Sequence, residues 1–140
     1  MSQENYNENF INTLFKVMID DTHSYDIRVG AENVLENLNM PDVASWAYIT
    51  AWNPLPITYS LEENRVRNQS LKNDLDAISL EYIDGVGMAI DGLWQEESVF
   101  IKNISKEQAE HLAQKYEQVA YLFAHRNEKA QLVYTVQEEK

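Results

Sequence analysis

The sequence predicts an α+β domain, a split βαβ antiparallel sheet with two helices on one face. Three observations carry this. From residue 45 the hydrophobic pattern switches period in the order β-α-β-β-α-β-β. Two helix starts are marked by capping boxes, Ser60-Leu61-Glu62-Glu63 and Ser105-Lys106-Glu107-Gln108. The stretch 45–53 alternates, with Trp46, Tyr48, Thr50 and Trp52 on one side and Ala47, Ile49 and Ala51 on the other.

Each element follows from local pattern. Over residues 9–19, Phe10, Leu14, Phe15, Val17 and Met18 recur at spacings of three and four, which predicts an amphipathic helix. Residues 26–30 read as a short edge strand. Residues 32–40 read as a short helix stopped by Pro41. The strand 45–53 ends at Pro54 and Pro56, since proline cannot donate to a ladder. The helix opened by Ser60 runs to about residue 78, with Leu61, Asn64, Asn68, Leu71, Leu75 and Ile78 on one stripe. A strand over 80–86 ends in Gly85-Val86-Gly87, and 84–95 reads as a loop or irregular hairpin. Residues 98–101 form a strand. The helix 105–117 buries Ala109, Leu112, Ala113 and Tyr116. Strands over 118–124 and 130–136 close the chain around the turn at Arg126-Asn127-Glu128.

Right-handed crossovers put both long helices on one face of the sheet. The other face carries Trp46, Tyr48 and Trp52 and needs a cover. The N-terminal helix, through Phe10, Leu14 and Met18, is one expected cover, and a homodimer partner is the other. The domain expectation is therefore a ferredoxin-like core over 45–136, an N-terminal helical extension over 1–44 packed on it, and a tail over 137–140.

Composition bounds the function. A hydrophobic fraction of 44% in 140 residues suffices for one packed core. No apolar run is long enough for a membrane span, and the polar, acidic N-terminus lacks the pattern of a signal peptide. With no cysteine there is neither disulfide nor thiolate zinc site. A cytoplasmic protein is expected. The net charge of −12, with scattered Lys and Arg, argues against direct nucleic-acid binding; it reads first as solubility, and second as a surface that attracts a basic protein partner or mimics DNA phosphates.

Phosphate-loop, dinucleotide, nucleophile-elbow and zincin motifs are absent. Asp20, Asp21 and His23 have no recognised metal spacing, so neither metal nor cofactor is expected. Two polar clusters stand out. Asn64 and Asn68 interrupt a leucine stripe, where a buried amide must find a partner or a ligand. With Asn53 at the strand end and Trp52 as an aromatic wall, they form the first candidate site. Trp94, Glu96, Ser98 and Gln118 form the second, with Glu96 or Glu97 as a base, cation ligand or hydroxyl acceptor. Reading the first and third core strands as parallel sets Asn53 and the two glutamates at opposite ends of the sheet, with Gln118 near Glu96.

Thr50-Ala51-Trp52-Asn53-Pro54, Glu63-Asn64, Gly85-x-Gly87, Trp94-x-Glu96-x-Ser98 and Gln118-Val119-Ala120 together resemble a family of small bacterial and phage proteins. That family is catalogued as a domain of unknown function with a T-A-W/F-N-P hallmark. The likeness runs over residues 45–135. It departs at Leu55-Pro56, where the family has a serine soon after the proline, and at Gly87-Met88-Ala89-Ile90, which is less basic than usual. The resemblance implies one compact domain and no particular activity. The leading expectation is a small binding domain for a polar ligand, nucleotide-derived ligands included. The alternatives are an acidic interaction or inhibitor module in phage–host conflict, and a hydrolase or transferase using Glu96 or Glu97.

Overall fold

A computed structural model describes residues 10–52, 58–92 and 94–136. Its elements are β1 (Thr13–Met18), β2 (Ser24–Ile27), α1 (Val34–Asn37), β3 (Ser45–Thr50), α2 (Leu61–Ala77), β4 (Tyr82–Ala89), β5 (Gln95–Lys102), α3 (Lys106–Lys115), β6 (Ala120–His125) and β7 (Gln131–Tyr134). The strands form one sheet in the order β2-β1-β4-β5-β3-β6-β7, with every neighbouring pair antiparallel. The fold is thus α+β. Among the described residues no helix is long and apolar enough to cross a membrane.

Both long helices lie on one face, as expected. Leu71 and Leu75 of α2 and Ala109, Leu112 and Ala113 of α3 share a buried cluster with Ala47, Ile49, Val99 and Ile101. Small side chains on β3 let the helices approach closely. Ser60 caps α2 by accepting from Glu63 N, and its hydroxyl donates to the Glu63 carboxylate at 3.0 Å. Ser105 and Gln108 complete a reciprocal capping box at α3.

The opposite face is concave. Trp46, Tyr48, Phe100 and Leu122 fill it with Phe15, Val17, Ile27, Val34 and Leu35. The edges curl toward one another: Gly30 N donates to Ala130 O at 2.8 Å, and Ala130 N donates to Ala31 O at 2.9 Å. Residues just past β2 are thereby tied to the residue just before β7.

The N-terminal cover differs from the expected helix. Residues 13–18 are a strand, paired with β2 on one side and β4 on the other. Thr13, Phe15 and Val17 point inward, whereas Leu14 and Met18 are only half-buried. The stretch Thr-Leu-Phe-Lys-Val-Met satisfies both periods. Lys16 on the outer side and two available sheet partners decide for the strand. Phe10 does pack against the concave cluster, as expected.

A second difference concerns residues 84–97. β4 continues to Ala89 and β5 starts at Gln95, so the expected loop shrinks to a turn. The glycines are not breakers here. Gly85 stands opposite Ser98 and Gly87 opposite Glu96 in an unbroken ladder.

Candidate functional site

β3 and β5 run antiparallel, with Thr50 opposite Ser98. This overturns the parallel reading. The hairpin β4–β5 follows a crossover, so β5 must return against β3. Trp52, two residues past that pair, and Glu96, two before it, therefore reach the same end of the sheet. Gln118, just ahead of β6, joins them: its Nε2 donates to Trp52 O at 3.1 Å. The two polar clusters share one end. The sheet separates Asn64 and Asn68, on the helix side, from Glu96 and Ser98 on the other face.

On the helix side, Asn64 and Asn68 are buried, at 2% and 3% exposure. Asn64 Nδ2 donates to Tyr59 O at 3.3 Å. Asn68 Oδ1 is buried with no hydrogen-bond partner among the described residues. Asn53 lies outside the described residues. Nearby, the end of β3 is clamped. Thr50 Oγ1 donates to Glu97 O at 2.8 Å and accepts from Trp52 N at 3.0 Å. Arg67 Nε donates to Ala51 O at 2.8 Å, and an Arg67 Nη donates to Tyr116 O at 2.7 Å. Gln118 belongs to this latch through Trp52 O and Tyr116 O. Glu97 also points to the helix side, where it meets Arg65 Nε at 3.0 Å.

On the concave side, the period of two sets Trp94, Glu96 and Ser98 on one face, with Tyr48 reaching in from β3. Tyr48 extends across Gly85 and its Oη donates to Lys16 O, on β1, at 2.8 Å. A Cβ on Gly85 would lie 2.5 Å from that oxygen, so only glycine lets the ring pass. Burial, with Glu96 and Asp26 adding to it, pushes the Tyr48 phenol well above its ordinary range, so it stays protonated. Ser98 is buried and its Oγ donates to the Glu96 main-chain oxygen at 3.2 Å. Gly87 stands between the rows of Phe15 and Glu96. Gly87 is buried, and among the described residues a Cβ there would meet nothing nearer than Ser98 Oγ at 3.8 Å, so the missing side chain leaves a notch.

Glu96 faces this notch. Among the described residues no hydrogen bond or ion pair reaches its carboxyl, and burial alone pushes it from 4.5 up to about 7. A carboxyl of that kind exchanges a proton near neutrality and accepts from any donor that enters.

The matching family model supplies the context. It covers residues 49–121, just over half of the chain, and is described as a protein of unknown function, DUF3293. The chain belongs to the DUF3293 family. The matched DUF3293 segment runs from within β3 into the start of β6, and so takes in the latch, Asn64 and Asn68, both glycines and Trp94-x-Glu96-x-Ser98. No curated protein and no solved structure matches this DUF3293 chain.

Sequence reasoning singled out Trp94, Glu96 and Ser98 and passed over three residues that shape their surroundings. Tyr48 reads as ordinary core, and Gly85 and Gly87 read as a turn. The signal available was the register. A G-x-G strand laid against E-x-S in a hairpin sets each glycine opposite one polar residue.

Proposed function

We propose that the domain binds a small polar ligand at the mouth of the concave face, with Glu96 as the principal recognition group and Trp94 as an aromatic wall. One observation carries this reading: a half-buried carboxyl that no hydrogen bond or ion pair reaches among the described residues, beside a notch made by glycine. Other partly sheltered charges in this molecule are paired, as in Lys16 with Asp26, Lys72 with Asp84 and Arg126 with Glu36. A partly buried carboxylate with no partner among the described residues lowers stability, which favours a functional origin over a structural one. Asn64 and Asn68 are left out of this site, because the sheet lies between them and Glu96. We read the order β4-β5-β3-β6, with α2 and α3 as crossovers, as a ferredoxin-like core extended by β1 and β2 at one edge and β7 at the other.

Ligand-observed NMR with a panel of nucleosides, nucleotides, amines and amino acids tests the reading. At least one compound should bind the wild type and lose binding in Glu96→Gln, whose amide keeps the volume and removes the charge. A silent panel, or binders indifferent to the substitution, would overturn it.

A second reading, a hydrolase or transferase with Glu96 as general acid–base, is favoured by the proton affinity of that carboxyl near neutrality. Glu97 does not fit the role, since Arg65 holds it on the other face. Turnover that Glu96→Gln abolishes while binding persists would distinguish this reading from simple binding.

A further inference from the structure

The hydrogen-bond polarity of the mouth constrains what enters it. Among the described residues, Glu96, Ser98 and Tyr48 supply oxygens to the concave face, Thr50 opposite Ser98 is already engaged with Glu97 O and Trp52 N, and Trp94 adds an indole N–H. The Tyr48 hydroxyl proton is committed to Lys16 O. The Ser98 proton is committed to Glu96 O, or to Tyr48 Oη when the hydroxyl hydrogen turns. Both hydroxyls therefore turn only lone pairs outward. An ionised Glu96 carboxyl is acceptor-only as well. Among the described residues no lysine, arginine or histidine pairs with it, and burial raises its proton affinity. Among the described residues these groups offer acceptors and negative charge, and the Trp94 indole N–H beside them is a donor without charge.

Size and field point the same way. The notch left by Gly87 is flanked by Phe15 on one strand and Glu96 on the other, so it suits a flat, compact group. The chain carries a net charge of −12, which concentrates cations and repels anions at its surface. Trp94, 41% exposed and on the same face, offers a ring against which a cation can stack.

Resting on the ligand-binding reading above, we infer that the mouth takes a compact organic cation with adjacent N–H donors, of the amidinium or guanidinium class, with Glu96 as its bidentate acceptor. Parallel N–H bonds from one planar group to one carboxylate are the strong, geometrically selective form of such pairing. The oxygens of Ser98 and Tyr48 stand beside it as further acceptors.

The test uses the full chain and three isosteric probes: benzamidine, benzamide and benzoate, followed at pH 8 by tryptophan fluorescence and by NMR of the indole N–H groups. Benzamidine should bind, benzamide should bind at least tenfold more weakly, and benzoate should not bind. Glu96→Gln should reduce benzamidine affinity at least tenfold. Gly87→Val fills the notch without altering charge, and should have the same effect in a chain whose folding is checked by its melting transition. A short arginine-containing peptide, run beside benzamidine, distinguishes a protein side chain from a free small cation as the natural source; tighter binding of either supports the class. Binding of benzamide or benzoate in preference to benzamidine would overturn the inference and leave the site standing. Silence from all the probes would overturn the inference, while the wider panel decides the site separately.

Discussion

Tyr48 and Gly85 are mutually exclusive in volume: a Cβ on the glycine would stand 2.5 Å from the tyrosine oxygen and 2.7 Å from Lys16 O. The pair fixes the floor of the concave face, because the ring must cross β4 to reach β1. Gly85→Ala should therefore cost about 1–3 kcal/mol through overpacking. Gly87→Ala, with 3.8 Å to its nearest neighbour, should change stability little. Urea melts of the two variants compare one methyl group at two positions of the same strand. Equal stability of both would refute the role given to Gly85.

Glu96 sets a pH dependence with a definite sign. Its carboxyl has an ordinary value of 4.5 and is pushed to about 7 in the folded chain. Between those values the folded state holds a proton that the unfolded state has released. Stability then falls as pH rises through this window, by about 3 kcal/mol in total, and is level above it. Glu96→Gln removes the slope. In urea melts the variant should gain on the wild type from pH 5 to pH 8. Parallel curves across that range would show that the carboxyl is better solvated than its burial implies.

The core order was legible because its signals are local. The capping serines at 60 and 105, and the alternation of Trp46, Tyr48, Thr50 and Trp52, need no tertiary information. The N-terminal strand was not legible, because Leu14-Phe15-Lys16-Val17 fits both periods and only two neighbouring strands resolve the choice. At the site, Glu96 and Ser98 were visible as a spaced pair. Their environment was not, since it depends on which residue of β4 stands opposite each of them. The ends of the sheet were misassigned for a topological reason: the sense of β5 relative to β3 is set by the hairpin, not by composition.

The latch on β3 gives a third expectation. Arg67 bonds Ala51 O and Tyr116 O, and its guanidinium lies 5.3 Å from the Tyr59 ring centroid and 5.8 Å from that of Tyr116. A lysine cannot reproduce two fixed N–H directions and a stacked plane at once. Arg67→Lys should lower stability by about 1–3 kcal/mol despite conserving charge, the range for a hydrogen-bonded charged group losing its geometry. Gln118→Leu removes the neighbouring bonds to Trp52 O and Tyr116 O and should cost about 1 kcal/mol. Because both hold the same strand end, the double variant should lose less than the sum. Thermal melts of the four chains in a mutant cycle measure the coupling, and strict additivity would disprove a shared latch.

Asn68 and Asn64 make opposite predictions although they sit one turn apart on the same buried stripe. Asn64 has a bond to Tyr59 O, so truncation leaves a carbonyl wanting, and Asn64→Ala should destabilise by about 1–2 kcal/mol. Asn68 Oδ1 has no partner among the described residues while it is withdrawn from water. Its stripe continues as Leu71 and Leu75. Asn68→Leu replaces an unsatisfied acceptor with a side chain of similar volume that suits the surrounding core, and should stabilise the chain by about 1 kcal/mol or more. Asn68→Ala removes the same acceptor but opens a cavity, so it should fall below the leucine variant. Melting temperatures in the order Asn68→Leu, wild type, Asn64→Ala are the expected result. A leucine variant that melts below the wild type would mean that the Asn68 amide is satisfied in solution, by an enclosed water or a ligand, and that its burial stabilises the fold.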